Sequence, residues 1–62
     1  MEIFDEYEQL LIEAAKEFNY HSPYQSLFEA IEVVEGEGCD VEVAYCEIPT
    51  PRRHEIARAI EG

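Results

Sequence analysis

The chain has 62 residues, enough for one domain with a modest core but not for two domains. Fifteen acidic residues outnumber four basic ones, giving a formal net charge of −11, and a hydrophobic fraction of 47% is too high for a disordered chain. The start MEIFDEYEQ lacks the basic and apolar regions of a signal peptide, and no apolar run is long enough to span a membrane. We therefore expect a single soluble, cytoplasmic domain over residues 1–62.

The first predicted element is an amphipathic helix over residues 3–18, followed by Asn19 as a helix stop. Its apolar residues recur at the i, i+3, i+4, i+7 spacing of one helical face, and they are Phe4, Tyr7, Leu11, Ala14, Ala15 and Phe18. A helical projection places four glutamates in one narrow sector opposite or beside this face, and these are Glu2, Glu6, Glu13 and Glu17. The helix is thus predicted to carry a row of carboxylates.

The second predicted helix spans residues 23–35 within the segment HSPYQSLFEAIEVVEGEG. Ser22 is a suitable N-cap, Pro23 fits the first helical position, and Gln25 completes a capping box. Gly36 is a natural C-terminal stop. One face of this helix is predicted to be apolar, formed by Tyr24, Leu27, Phe28, Ile31 and Val34.

The segment CDVEVAYCEI that follows is ambiguous between helix and strand. Val41, Val43 and Tyr45 alternate as in a strand, whereas Val41, Ala44, Tyr45 and Ile48 match a helical face. A strand in this segment would need a partner strand, and the only candidate for a hairpin is the short EVV stretch at residues 32–34, before the glycines. We favour a short helix at about 41–48 capped by Asp40, with a strand or hairpin in an α+β fold as the alternative.

The closing helix is predicted to begin at Thr50 as N-cap, with Pro51 at the first helical position. Its apolar face consists of Ile56, Ala57 and Ile60. The fold class is therefore all-α: a small bundle of three helices plus a short fourth element before the last. A core of this size gains from an oligomer contact, so a homodimer is an open alternative.

Three of the four basic residues lie in the last segment, as Arg52, Arg53 and Arg58. A short element followed by a basic helix resembles a helix-turn-helix, but residues 1–48 carry a balance of −12 and residues 49–62 only +1. DNA would repel such a domain. We expect no direct nucleic-acid binding, and we expect Arg52 and Arg53 to clamp carboxylates of the first two helices.

Catalytic and metal-binding chemistry find no support in the residue pattern. Cys39 and Cys46 have six residues between them and no paired histidines at zinc-site spacing, and a reducing compartment would keep them as thiols. No serine, cysteine or carboxylate has the companions of an activated nucleophile or a general acid. We expect a non-enzyme without metal or cofactor.

The excess of acids is one-sided, whereas an ordinary soluble surface mixes both signs. Like-charged neighbours on a helix repel each other and lower stability. A small fold that keeps them is therefore expected to use its negative electrostatic field in function. We predict a partner-binding surface for a Lys/Arg-lined groove, made of Glu2, Glu6, Glu13, Glu17, Glu29, Glu32, Glu35, Glu37, Asp40 and Glu42.

In size, predicted helicity and the acidic runs FDEYEQ, AKEF and IEVVEGEGCDVE, the chain resembles the small acidic phage-encoded inhibitors that mimic nucleic acids, including many anti-CRISPR proteins. The resemblance covers the whole chain and involves no shared motif, so it transfers no functional residue. It implies a binding protein in the cytoplasm of a bacterial host that blocks a basic nucleic-acid groove. The partner would be a nucleic-acid-binding protein or a ribonucleoprotein complex of a defence nuclease.

Two alternatives use apolar contacts instead of charge. The first is an antitoxin-like or regulatory module that binds its partner through Tyr24, Phe28 or Tyr45, and the second is a plain dimerisation module. Salt separates them from mimicry, because charge-driven binding weakens steeply with ionic strength.

Overall fold

The computed structural model describes residues 3–18 and 20–62, which form four helices and no strand. In chain order these are α1 (Glu6–Lys16), α2 (Pro23–Glu35), α3 (Val41–Glu47) and α4 (Thr50–Glu61). The predicted all-α bundle with a short helix before the last is confirmed, and the alternative of a strand or hairpin at 41–48 is wrong. The predictions for Glu2 and Asn19 lie outside the described residues.

Helix α1 begins later than the predicted residue 3, because Asp5 caps it. The Asp5 carboxylate accepts a hydrogen bond from the Glu8 N–H at 2.7 Å, and the Asp5 N–H donates to Glu8 Oε1 at 3.0 Å. This reciprocal pair is a capping box, which fixes the first turn at Glu6. The sequence carries the signal as D-x-x-E, but the apolar spacing that includes Phe4 hides it.

Helix α2 has the bounds predicted from its caps. The Ser22 hydroxyl accepts a hydrogen bond from the Tyr24 N–H at 3.2 Å, so Ser22 is the N-cap as predicted, but the predicted capping box with Gln25 is wrong. At the other end, Gly36 takes φ of +82°, and its N–H donates to the Glu32 carbonyl at 2.9 Å. A side chain would be strained in that left-handed conformation, so the glycine ends the helix.

The caps of α3 and α4 differ in how well the sequence predicted them. Asp40 caps α3 as expected, since its carboxylate accepts a hydrogen bond from the Val43 N–H at 3.3 Å. Thr50 is not the N-cap of α4: the Pro49 carbonyl accepts from the Arg53 N–H at 3.0 Å, so the helix starts one residue earlier. The Thr50 hydroxyl instead accepts a hydrogen bond from Arg53 Nη2 at 2.7 Å.

These caps give a stability prediction. The variant Ser22→Ala should lose about 1 kcal/mol of unfolding free energy, because an N–H of the first turn loses its acceptor. The matched variant Thr50→Ala should lose clearly less, since Thr50 caps no helix end. Urea denaturation followed by circular dichroism measures both values. A loss at Thr50 equal to that at Ser22 would contradict the assigned caps.

The core is formed by α1, α2 and α4, which pack against one another. Its buried apolar residues are Leu11, Ile12, Ala15, Leu27, Ala30, Ile31, Ile56 and Ala57. Tyr7, predicted on the buried face of α1, is 37% exposed and therefore lies at the edge of the core. No helix in the described ranges combines the length and the apolar character that crossing a bilayer requires.

Helix α3 packs against α2 and contributes only half-buried side chains to the core. These are Val41, Ala44 and Tyr45, joined by Ile48 just after the helix. The Tyr45 ring lies 5.7 Å from that of Phe28, centroid to centroid. Because α3 contacts α2 and not α1, a cleft remains between α3 and α1.

Candidate functional site

The cleft between α1 and α3, here called the acidic cleft, has a volume of about 560 Å³. Its apolar lining consists of Leu11, Val43, Ala44, Ile48, Pro49 and Ile56. Its polar lining consists of Asp5, Tyr7, Glu8, Glu35, Cys39, Asp40, Glu47 and Arg52. The site therefore combines an apolar floor with five carboxylates and one guanidinium.

The wide acidic end of this cleft is formed by three carboxylates from different elements: Glu35 ends α2, Asp40 precedes α3, and Glu47 ends α3. They surround the Cys39 thiol, whose pKa is raised by burial and by the negative charge of all three. A raised pKa keeps the thiol protonated, which disfavours a thiolate nucleophile. The three carboxylates make the electrostatic potential at this end of the cleft negative, which favours positively charged groups there.

Tyr7 faces the same carboxylates from the α1 side. Its pKa is raised to about 12 by burial, by a hydrogen bond to Glu35 and by the negative charges of Glu35, Cys39 and Glu47. The neutral phenol is favoured because a phenolate would stand beside carboxylates. Tyr7 thus supplies a hydroxyl and an apolar ring at a negatively charged rim.

The Tyr7 environment predicts a titration. Ultraviolet absorbance should show the Tyr7 phenol titrating near pH 12, and Glu35→Gln should lower the Tyr7 pKa because it removes a charge and its hydrogen bond. The folded pKa lies above the unfolded value of about 10, so the unfolded chain loses this proton first. Stability should therefore fall as pH rises from about 10 to 12. An unchanged Tyr7 pKa in Glu35→Gln would show that Glu35 does not act on it.

The opposite end of the acidic cleft is neutralised by Arg52. Its guanidinium donates to both Glu8 carboxylate oxygens, each at 2.6 Å, to Glu55 Oε1 at 3.0 Å and to the Ile3 carbonyl at 2.6 Å. It also lies 4.8 Å from the centre of the Phe4 ring. These hydrogen bonds lower the pKa of the Glu8 carboxyl, although partial burial opposes the effect. The predicted clamp from Arg52 to α1 is confirmed.

The remaining Arg and His residues of α4 have different contacts. Arg53 donates to Thr50 Oγ1 and lies 4.7 Å from the centre of the Tyr45 ring, so the prediction that it clamps a carboxylate of α1 or α2 is wrong. An aromatic face attracts a guanidinium and holds it against α3 instead. His54 is hydrogen-bonded through Nδ1 to the Tyr24 hydroxyl, with the two rings edge to face. Arg58 lies in the last turn of α4.

The predicted partner-binding acids divide between the cleft and the outer helix faces. Glu35 and Asp40 line the acidic cleft. The others in the described ranges are exposed or half-buried outside its lining, and they are Glu6, Glu13, Glu17, Glu29, Glu32, Glu37 and Glu42. The rows on α1 and α2 lie opposite the buried face of each helix.

Sequence reasoning missed several residues of the acidic cleft. Glu47 and Tyr7 contribute to its acidic end, and Asp5 and Glu8 lie near its Arg52 end. The capping motif marks Asp5 and Glu8 in the sequence, but only the packing of α3 on α2 brings Glu47 towards Tyr7.

Cys39 and Cys46 are free thiols. Within residues 3–18 and 20–62, no group of three or more His, Cys, Asp or Glu side chains has the arrangement of a metal site.

No protein-family profile, curated protein or solved structure matches this chain.

Proposed function

We propose that this protein is a non-catalytic acidic binding protein that occupies a basic nucleic-acid-binding groove on a protein or ribonucleoprotein partner. The finer form of the proposal is an inhibitor of a bacterial defence nuclease, of the phage-encoded anti-CRISPR type. The observation that carries it is an acid excess of eleven charges, displayed on the outer helix faces and in a cleft.

The distribution of charge within the fold supports a basic partner. Arg52 is held by Glu8 and Glu55, so the main internal clamp neutralises acids that lie outside the predicted row on α1. Glu6, Glu13 and Glu17 remain exposed on the solvent side of α1. Their negative field would steer a cationic surface towards the protein and accelerate association.

The spacing of these acids supports a groove that ordinarily holds nucleic acid. Glu13 lies on α1 and Glu17 is the C-cap of that helix with α-helical backbone angles, so the two residues are separated by about 6 Å along the helix axis. Phosphates of one DNA strand advance about 3.4 Å each along the duplex axis, so this interval falls between one and two phosphate steps. A rigid helix with carboxylates at this interval can therefore meet the Lys and Arg residues that otherwise contact phosphates.

The alternative of apolar recognition has less support. The aromatic residues expected to form its contacts are half-buried and engaged within the chain: Tyr24 with His54, and Phe28 and Arg53 with Tyr45. An interface through these rings would have to break those contacts first. The geometry therefore favours the acidic surface as the binding element.

The test of the proposed function is a phage-plating assay. Bacteria with an active CRISPR system that targets a phage are expected to regain plaques when they express this protein and not when they express Glu6→Lys/Glu13→Lys. Co-purified nuclease complex should release the protein when duplex DNA or salt is added. The defence-nuclease form is refuted if plating is unchanged across several CRISPR types, and mimicry itself fails if neither nucleic acid nor salt displaces any captured partner.

A further prediction is that the protein binds no nucleic acid itself. Arg52 is occupied by α1 and Arg53 by Thr50 and Tyr45, so neither is presented to phosphates. Mobility-shift assays with single-stranded and duplex DNA at about 50 mM salt, where electrostatic binding is strong, should show no complex. A tight complex would support a helix-turn-helix regulator instead.

A further inference from the structure

We infer that the acidic cleft is the docking site for a basic amphipathic segment of a protein partner. Apolar side chains of this segment would lie on the cleft floor, and its Lys or Arg side chains would lie against Glu35, Asp40 and Glu47. The inference rests on the proposed function for the basic character of the partner. It adds the place where the partner is anchored and an apolar component of recognition.

The shape and lining of the cleft suit a chain segment better than a lone ion. A volume of about 560 Å³ falls within the usual range for ligand pockets, roughly 300–1,000 Å³. Leu11 and Ile56 lie beneath the cleft and are fully buried, so its accessible apolar surface comes from Ala44, Ile48, Pro49 and Val43, and Val43 at the α3 wall is 51% exposed. An apolar side chain placed there would remove Val43 from water, a gain that a hydrated ion cannot provide.

The apolar surface continues past the cleft across α3. Val43 and Glu47 line both the acidic cleft and a second, shallow surface that includes Glu42 and Cys46. A segment that enters between α1 and α3 can therefore extend over α3 and keep both apolar and acidic contacts. This continuity favours an amphipathic helix or an extended peptide as the occupant.

Charge decides what kind of segment fits. A second copy of the chain would bring a further net charge of −11, and nucleic acid would bring phosphates to the same carboxylates. A basic segment is complementary instead, and the cleft also orients it. Arg52 neutralises one end through Glu8, while Glu35, Asp40 and Glu47 leave the other end negative. The cations of the occupant therefore belong at the end near Cys39.

The inference can be tested with an amidated peptide of about 12 residues, made of Leu and Lys in helical periodicity, at about 0.15 M salt. Amide shifts of the isotope-labelled protein should change around the acidic cleft. Glu35→Gln/Glu47→Gln should weaken binding about fivefold or more, whereas Glu13→Gln/Glu17→Gln, with the same change of charge, should weaken it less than about twofold. Val43→Thr should weaken binding more than Val33→Thr, since Val33 is exposed outside the cleft.

Several outcomes would overturn the inference. Equal weakening by the two glutamine pairs, or shifts along the outer face of α1, would place the basic partner elsewhere and leave the proposed function intact. Equal shifts with spermidine would show attraction of cations without apolar docking. Absence of peptide binding, with circular dichroism showing each variant folded, would remove the cleft as an anchor, and the phage-plating assay would still decide the proposed function separately.

Discussion

Replacing Arg52 by Ala is expected to lower the melting temperature by about 5 °C, because the lost ion pair is only partly exposed and carries several hydrogen bonds. The guanidinium connects α4 to α1 through both oxygens of Glu8, and it holds the segment before α1 through the Ile3 carbonyl and the Phe4 ring. Its removal leaves the Glu8 carboxylate, only 14% exposed, without its cation. The net charge of the chain is strongly negative, so the variant has no favourable overall field to compensate the Glu8 carboxylate for the lost guanidinium.

Two matched variants separate this explanation from a general loss of positive charge. Arg52→Lys should recover only part of the stability, because an ammonium cannot reproduce the paired hydrogen bonds to Glu8. Arg53→Ala has the same change of charge but loses only the Thr50 hydrogen bond and the Tyr45 ring contact, so its effect should be much smaller. Equal melting temperatures for Arg52→Ala and Arg53→Ala would contradict a specific role for the Glu8 clamp.

The pH dependence gives a second check on the clamp. Hydrogen bonds from Arg52 lower the folded pKa of Glu8 below its ordinary value of 4.5. Such a carboxylate stabilises the fold above the unfolded pKa, and the contribution disappears as pH falls through the folded pKa. The stability difference between the natural chain and Arg52→Ala should therefore be full near neutral pH and shrink below about pH 4. Thermal melts across this range measure it.

Local signals in the sequence predicted most of the helices. Ser22 with Pro23, and Gly36 at the other end, define α2 through contacts within a few residues, and Asp40 likewise defines the start of α3. Thr50 before a proline is an equally strong N-cap signal in the sequence. In the structure, however, the N-cap is Pro49, whose carbonyl accepts the first helical hydrogen bond of α4 from the Arg53 N–H. Pro49 and Pro51 flank Thr50, so the sequence is compatible with two helix starts one residue apart. Local sequence signals do not distinguish between them.

The candidate site was less predictable because it depends on contacts distant in sequence. Glu8 and Arg52 are 44 residues apart, and a general expectation of an Arg–carboxylate clamp named Arg52 correctly but not its partner. Phe4 fits the apolar spacing of α1, yet it lies before the helix and packs beside Arg52. Tyr7 and Glu47 meet only because α3 packs against α2 and faces α1 across a cleft. No spacing rule along one helix contains that information.

The structure also changes how the predicted acidic surface is understood. Acids on α1 and α2 lie on the outer faces of two helices that pack against each other, so they form two separate rows. The row of Glu6, Glu13 and Glu17 is the side proposed to meet a basic groove, and the acidic cleft around Glu35 and Glu47 is the side proposed as an anchor. Substitutions confined to one side can therefore separate the two contributions.

The double reversal Glu6→Lys/Glu13→Lys is expected to weaken the complex with a captured basic partner about 100-fold, because each lysine meets partner cations in place of a carboxylate. The fold should persist, since both residues are exposed and point away from the core. Glu6 also interacts favourably with the positive end of α1, so its reversal should cost about 0.3–1 kcal/mol of stability. Calorimetric titration and thermal melts measure the two effects separately.

The control for this effect is a single reversal of equal charge at the far end of the chain. Glu13→Lys and Glu61→Lys each change the net charge by two and both alter exposed residues, but Glu61 lies at the end of α4, outside the predicted surface. Glu13→Lys should weaken binding and flatten its dependence on salt more than Glu61→Lys does, because Glu61 is not a member of the predicted row, although it lines a small hollow with Ala15 and Lys16. Equal effects would show that the partner senses only total charge. An unchanged affinity in Glu6→Lys/Glu13→Lys would remove the α1 row from the interface and leave the acidic cleft as the contact to test.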